Sequence, residues 1–333
     1  MTDPKPSRRS SRRALILGGA AALAAAGLGG CAISPDTSSI EAANPPRGRF
    51  VTADGLRIHY VALGPEDPEA PTVILVHGAT GNLNDMTFDL APRLAALGMR
   101  VICFDRPGQG YSQRPPVEGW LPVVQARALD AAAAALGVRE AVVLGHSWGG
   151  AVALAWAMAA PERVTGVVAL AAPAFAWGEP PDFWTPIVTA RPVAAVTAGL
   201  LRLSTLDDDG ASAAARIFRP QPVPPGYMEH LQAELILRPS AFRNNVEDIE
   251  RLDPALAEQS RGYATLRQPL EILHGTADEI VVLSVHSEPL SRLAPAANLD
   301  TLQGVGHMLH HAEPARTVAA VQRVFDRKAH SAG

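Results

Sequence analysis

The sequence predicts an α/β protein whose core is a mostly parallel, doubly wound sheet of about eight strands. From residue 49 onward, short β-rich runs alternate with helical stretches, an order that is typical of the α/β class. Four of the runs are apolar throughout, as expected for parallel strands that helices cover on both faces. The chain has 333 residues, of which 47% are hydrophobic, so it is long enough to bury such a core.

The composition excludes several classes of function before any motif is considered. Charged residues make up 19% of the chain and the formal net charge is −4, so the sequence lacks the basic excess of a nucleic-acid-binding protein. Aromatic residues make up only 5%, which disfavours a stacking surface for single strands. Two cysteines, Cys31 and Cys103, cannot build a disulfide framework, and the apolar run around Cys103 predicts a buried thiol.

The N-terminus has the order of an export signal. Five basic residues and one acidic residue lie in the first 30, and an Ala/Leu/Gly run follows them. Ser11-Arg12-Arg13 resembles a twin-arginine signal, and Leu28-Gly29-Gly30-Cys31 resembles a bacterial lipoprotein box. We therefore expect residues 1–30 to be a signal peptide and residues 31–48 a flexible tether lipidated at Cys31. This predicts an exported protein of the cell envelope or periplasm, anchored to a membrane.

The elements follow in order after the tether. Asp54-Gly55 between two β-rich runs predicts a hairpin, and the helices end where a glycine or proline follows. The predicted strands are residues 49–52, 56–61, 72–76, 101–104, 141–144, 164–170, 270–274 and 298–302. The predicted helices are residues 84–97, 123–136 and 148–159, with a last helix from Pro314.

The alternation is interrupted by residues 174–262, which are rich in proline and contain helical segments but no strong strand. Because the last strands of the sheet come afterwards, we expect a helical lid inserted into a core formed by residues 49–173 and 263–333. Aromatic residues near the start of this insertion are expected to line an acyl pocket. They are Phe175, Trp177, Phe183 and Trp184.

One short motif carries the chemistry. Gly145-His146-Ser147-Trp148-Gly149 has the pattern Gly-x-Ser-x-Gly, which also occurs by chance in a sequence of this size. Here it follows a predicted apolar strand and opens a predicted helix. In that context the serine lies on a strained strand-to-helix turn at the edge of the sheet, with its hydroxyl exposed near a helix N-terminus.

With this motif in place, the chain from residue 49 to its end resembles the α/β-hydrolase superfamily, in particular its serine esterases. The resemblance implies a Ser147 nucleophile, an Asp278 acid after the penultimate strand and a His307 base after the last strand. His77-Gly78-Ala79 matches the oxyanion turn of that family, which implies that the backbone N–H groups of Ala79 and Trp148 bind the oxyanion. Glu279 and Asp248 are alternative acids, but neither ends a predicted strand.

These residues predict a serine hydrolase that cleaves small or medium carboxylic esters through an acyl-enzyme. The chain also resembles haloalkane dehalogenases and epoxide hydrolases around His77-Gly78 and Asp105. Those enzymes use aspartate where this chain has Ser147, which argues against their reaction. Two alternatives stay open: the same triad could cleave an amide, lactone or carbon–carbon bond or catalyse perhydrolysis, or the protein could be a non-catalytic binding member.

The expected partner is a small ester-like substrate, and no nucleic acid, nucleotide, flavin or metal is expected. His310-His311 is interpreted as a solvated pair, because no glutamate-bearing zinc motif surrounds it.

Overall fold

The computed structural model describes residues 36–177 and 209–331, and it confirms the predicted fold class. Eight strands form one sheet in the order β1-β2-β4-β3-β5-β6-β7-β8. Strands β1 and β2 are an antiparallel hairpin at one edge, and the six strands from β3 to β8 run parallel. The strands are β1 Arg49–Ala53, β2 Leu56–Leu63, β3 Thr72–Val76, β4 Arg100–Phe104, β5 Ala141–His146, β6 Val164–Leu170, β7 Leu270–Gly275 and β8 Ala297–Leu302.

Helices cover both faces of this sheet. One apolar cluster includes residues of α4 and α5, and a second cluster on the other face includes residues of α3 and α12. The helices are α1 Thr37–Ala43, α2 Asn84–Thr87, α3 Leu90–Ala96, α4 Pro122–Ala135, α5 Trp148–Ala159, α6 Asp209–Phe218, α7 Tyr227–Leu231, α8 Pro239–Glu250, α9 Leu252–Gln259, α10 Ser287–Leu293, α11 Leu309–Ala312 and α12 Pro314–Ser331. None of the helices in the described residues is long and apolar enough to cross a membrane.

The sheet brings the candidate chemical groups to one edge. Every residue of β3 and β5 is buried, as their unbroken apolar sequences predict. Val76 pairs with Gly145 at the carboxyl ends of these two strands. The turn after β3 and the turn after β5 are therefore neighbours, at the edge where open α/β sheets bind their ligands.

The insertion between β6 and β7 is helical wherever it is described. It contains α6 to α9 and two 3₁₀ segments, Ala233–Leu237 and Ser260–Thr265, and none of its described residues forms a strand. The predicted helix over residues 84–97 is divided into α2 and α3. Phe88 lies at the break, where its ring packs edge-on against Tyr227 of the insertion at 5.5 Å.

The prediction of a flexible tether is wrong for residues 37–43, which form helix α1. The Asp36 carboxylate accepts a hydrogen bond from the Ser38 N–H and caps this helix. Ile40 is fully buried, and the Asn44 side chain donates to Glu234 of the insertion at 3.2 Å. A single buried residue leaves no periodicity for a sequence pattern to show. The predicted signal peptide and Cys31 lie outside the described residues.

Candidate active site

Ser147 occupies the strained turn that the motif predicts. Its φ of +51° and ψ of −125° lie in a region that L-residues rarely adopt. The flanking residues must be glycine because the backbone packs closely around this turn. A Cβ atom on Gly145 would collide with the backbone of Gly149, and one on Gly149 would collide with the carbonyl oxygens of Val76 and His77. The serine stands between β5 and the first turn of α5.

The predicted oxyanion turn lies against this serine. A Cβ atom placed on Gly78 would be 3.2 Å from Ser147 Cβ, a tight contact that glycine avoids where the two turns approach each other. His77 Nδ1 lies 2.8 Å from the carbonyl oxygen of Gly78, and its Nε2 accepts the N–H of Arg106. Burial, together with the positive charge of Arg106, lowers the pKa of His77 to about 4. His77 is therefore a neutral residue that shapes the turn.

Asp278 and His307 meet as predicted, with Asp278 Oδ2 2.8 Å from His307 Nδ1. The other carboxylate oxygen, Oδ1, accepts the backbone N–H groups of Ile280 and Val281 at 2.8 and 3.0 Å. Burial alone would raise the pKa of Asp278, but the charge of His307 and the hydrogen bonds from His274, His307 and Val281 hold that pKa well below its ordinary value. A charged carboxylate only accepts, so His307 Nδ1 donates and its Nε2 remains the basic nitrogen.

The two alternative acids lie elsewhere. Glu279 is exposed to solvent next to Asp278. Asp248 of α8 is fully buried and pairs with Arg106 at 3.0 Å and with Arg114 at 2.9 Å. The guanidinium of Arg106 also lies over the ring of Trp148, with its carbon 4.2 Å from the ring centroid. Asp248 therefore links the insertion to the body beneath the serine turn and does not contact His307.

Two further histidines support the site. His274 Nε2 lies 2.7 Å from the carbonyl oxygen of Val281 and 3.3 Å from Asp278 Oδ2. His146 Nε2 lies 3.0 Å from the carbonyl oxygen of His307. Because a carbonyl only accepts, His146 donates from Nε2 and ties the His307 loop to the residue beside Ser147. No sequence pattern marks either contact.

The expected acyl-pocket residues are described only in part. Phe175 and Trp177 are half-buried and pack against the core of the body, and Phe175 meets Tyr263 edge-on at 5.6 Å. The Trp177 N–H donates to Asp253 at 2.6 Å. Both residues therefore hold the start of the insertion in place, and their contact with substrate stays a prediction. Phe183 and Trp184 lie outside the described residues.

A groove of about 970 Å³ lies beside the insertion and away from Ser147. Arg57 and Arg114 of the body and Asn244 and Glu247 of α8 are among its lining residues. The serine turn and His307 do not line it, so this groove is separate from the candidate site.

The interpretation of His310-His311 as a solvated pair is wrong. His310 is fully buried, and the His311 side chain is 3% exposed. Both face the buried carboxylate of Asp85, which also accepts the hydroxyl of Tyr227 at 2.8 Å. Asp85 lies 225 residues before His310, so only the folded chain brings the two together.

Comparison with known proteins agrees with this fold. Residues 71–191, which include the oxyanion turn and the serine turn, match the model of the family described as alpha/beta hydrolase fold. Two solved structures are similar over most of the chain. A protein described as Est816, an N-acyl homoserine lactone degrading enzyme, is 23% identical with a TM-score of 0.61, over 82% of this chain and 99% of that one. The meta-cleavage product hydrolase of Pseudomonas fluorescens IP01 is 24% identical with a TM-score of 0.57, over 84% and 98%.

A curated relative is similar over a shorter stretch. Epoxide hydrolase B of Mycobacterium tuberculosis is 33% identical over 130 residues, which are 38% of this chain and 35% of the relative. The match thus spans about a third of the relative's length. Together, the match over residues 71–191 and the structural similarity show that the protein has the α/β-hydrolase fold.

Proposed function

We propose that the protein is a serine hydrolase that cleaves small or medium carboxylic esters through an acyl-enzyme, with Ser147, His307 and Asp278 as its triad. The observation that carries the proposal is the 2.8 Å contact between Asp278 Oδ2 and His307 Nδ1, in a loop that His146 ties to the turn of Ser147. An imidazole held in this tautomer beside a strained serine is the arrangement that activates a hydroxyl nucleophile.

The reaction follows from these positions. His307 Nε2 accepts the hydroxyl proton as Ser147 Oγ attacks the ester carbonyl carbon, and Asp278 stabilises the resulting imidazolium. The backbone N–H groups of Ala79 and Trp148 donate to the oxyanion, and each such donor contributes about 3 to 4 kcal/mol to the transition state. His307 then returns the proton to the leaving alcohol. Water, deprotonated by His307, attacks the acyl-enzyme, and the carboxylic acid and free Ser147 are released.

The serine supports ester chemistry over the reaction for which epoxide hydrolase B is named. The epoxide hydrolases that this chain resembles use an aspartate carboxylate as nucleophile, and this chain has a hydroxyl at the same turn. A hydroxyl nucleophile with a neighbouring base is suited to acyl transfer, and the oxyanion turn stabilises the tetrahedral intermediate of that reaction.

A fluorophosphonate probe tests the proposal because it phosphonylates an activated serine. We expect the folded parent to be labelled at Ser147 and Ser147→Ala to remain unlabelled. Ser291→Ala removes a serine hydroxyl on α10 that only donates to the carbonyl of Glu288, and this control should label like the parent. An unlabelled, folded parent, or equal labelling of Ser147→Ala, would refute the assignment.

A substrate panel tests the bond that is cleaved. The panel should contain p-nitrophenyl esters of increasing acyl length, matched anilides, an acyl homoserine lactone and a meta-cleavage product, since the similar structures are named for the last two classes. We expect the highest kcat/KM for the esters. A higher kcat/KM for the lactone or for carbon–carbon cleavage would leave the triad assignment intact and would show that esters are not the preferred substrate class.

We also propose that residues 1–30 direct export and that Cys31 carries the lipid anchor, supported by the basic-then-apolar order and the Leu28-Gly29-Gly30-Cys31 box. Intact-mass analysis of protein from its native membrane should show an acylated N-terminus at Cys31. Cys31→Ser should abolish acylation and leave the esterase activity of the released protein unchanged, because Cys31 has no place in the triad. Cytoplasmic protein that still begins at Met1 would overturn this proposal.

A further inference from the structure

A second buried cluster of titratable side chains lies close to the candidate triad and takes no part in it. We call it the Asp85 cluster, and it consists of Asp85, Tyr227, His310 and His311. His311 Nε2 lies 2.8 Å from Asp85 Oδ1, and His310 Nε2 lies 3.3 Å from the same carboxylate. The three candidate ligand atoms, one from each of Asp85, His310 and His311, lie within 4.8 Å of one another.

We propose that the Asp85 cluster binds one divalent transition-metal ion of the Zn²⁺ type, through His310 Nε2, His311 Nε2 and the Asp85 carboxylate. Two imidazole nitrogens and one carboxylate oxygen are a donor set that zinc and its neighbours bind, and three protein ligands leave one position open in a four-coordinate site. Ligands about 2.0 to 2.2 Å from zinc are separated from one another by about 3 to 3.5 Å. The two nitrogen–oxygen distances in the cluster, 2.8 and 3.3 Å, are near this range, and the full set of three atoms would have to contract from within 4.8 Å. The Tyr227 hydroxyl hydrogen-bonds to Asp85 and orients the carboxylate.

The ring nitrogens of His146 and His310 give a second argument for a metal ion, because two of them are buried acceptors without a partner among the described residues. His146 donates from Nε2 to the carbonyl of His307, so its Nδ1 is an acceptor, and among the described residues that buried atom has no partner. Without a metal, His310 donates from Nε2 to Asp85, and its own buried Nδ1 is a second acceptor without a partner in the described chain. The centroids of the two rings lie 4.5 Å apart, so two unsatisfied acceptors belong to neighbouring rings in the interior.

A metal ion on His310 Nε2 would change this arrangement. The remaining imidazole proton would then reside on Nδ1, so His310 would no longer present a second buried acceptor next to the ring of His146. The ion would also join three parts of the chain: Asp85 of α2, Tyr227 of the insertion, and α11, which follows His307. Its expected role is therefore to hold the insertion and the His307 loop to the body.

Zinc binding to the full chain, without a polyhistidine tag, tests the site independently of any catalytic activity. Protein stripped with a chelator should take up one Zn²⁺ per chain in a competition titration with a chromophoric chelator. Asp85→Asn and His311→Gln should each weaken binding by more than about 100-fold, since even an outer partner of a ligand is worth 10- to 100-fold. Co²⁺ in the same site should give the visible absorption of a four-coordinate ion, and it should be lost in His311→Gln.

Two controls separate this site from other histidines. His230→Gln removes a half-exposed histidine that contacts Thr87 and the ring of Phe88, and it should bind zinc like the parent. His307→Ala should also retain the ion, because His307 belongs to the triad. A parent that takes up no stoichiometric metal has a hydrogen-bonded cluster only, and that result overturns the proposal. Zinc retained in His311→Gln and lost in His307→Ala would place the ion at the triad and overturn it as well. If Asp85→Asn fails to fold, zinc binding by His311→Gln tests the site alone. His311 is less buried than Asp85 and His310, so its replacement should disturb folding least.

Discussion

Replacement of Asp278 by asparagine should abolish most of the turnover while the protein stays folded. Asp278 Oδ1 accepts two backbone N–H groups, from Ile280 and Val281. An asparagine side chain would keep its amide oxygen on those two donors, so its NH₂ group would face His307 Nδ1. That nitrogen would then have to accept, and the proton would move to Nε2, where it blocks proton transfer from Ser147.

The same change in a serine protease lowers kcat by about 10⁴, which corresponds to about 5 kcal/mol of lost transition-state stabilisation. We expect a loss of this size here, because the contact that changes is the same and the charged carboxylate is buried in both cases. KM should change far less, since the Asp278 carboxylate is occupied by His307 and by the backbone N–H groups of Ile280 and Val281. The assay is kcat and KM for a p-nitrophenyl ester, with circular dichroism and a thermal melt to confirm matched folding.

Glu279→Gln is the matched control. Glu279 is the next residue and is exposed, so its loss alters only the local field, and activity should stay within about tenfold of the parent. Near-parental turnover by folded Asp278→Asn, together with loss of turnover in Glu279→Gln, would show that the acid is assigned to the wrong residue.

Three further predictions concern stability, anchoring of the insertion and specificity. Burial, with the charges of Arg106 and His274 respectively, lowers the pKa of His77 and His286 to about 4, whereas the unfolded chain protonates histidine near 6.5. The folded state holds both histidines neutral, so their contribution to stability is complete above pH 6.5. The free energy of unfolding should therefore fall by about 3 kcal/mol for each histidine as the pH is lowered from 6.5 to about 4. Urea unfolding that is independent of pH over this range would contradict the prediction. Arg106→Met or Asp248→Leu breaks a fully buried ion pair and should lower the free energy of unfolding by about 3 to 5 kcal/mol, whereas the double variant with both changes should lose less than the sum of the two single losses. Denaturant titration of all three variants measures this, and single costs below 1 kcal/mol would show that the pair does not fasten the insertion. Phe175→Ala and Trp177→Ala should change the relative kcat/KM across acyl lengths if these rings line the pocket, and an equal loss at every length would assign them to packing alone.

The sheet could be predicted because its interior strands carry their own signal. Strands β3 to β6 are buried on both faces, so each is an unbroken apolar run, and the glycines and prolines between the elements mark their ends. The Asp278 contact could be predicted for a related reason. The ends of parallel strands meet at one edge, so residues that follow strands become neighbours whatever their separation in sequence.

What the sequence concealed depends on contacts without a periodic pattern. At the break between α2 and α3, Phe88 packs on the insertion, and helix α1 buries a single residue, Ile40. Asp248 remained an alternative acid because its ion pair with Arg106, 142 residues away, cannot be read from the sequence. His310 and His311 looked solvated because a pair of adjacent histidines carries no sign of a carboxylate on a distant helix.

The two histidine–carboxylate clusters differ in which ring nitrogen faces the acid, and this difference separates their roles. His307 turns Nδ1 toward Asp278, so the basic Nε2 lies at the far end of the ring, where it can take a proton from Ser147. His310 and His311 turn Nε2 toward Asp85, and the hydroxyl of Tyr227 reaches the same carboxylate. The Nε2 atoms of His310 and His311 therefore converge on one carboxylate, which is the arrangement that the proposed metal site uses. The two clusters differ in this way although their histidines lie within four positions of one another in the chain.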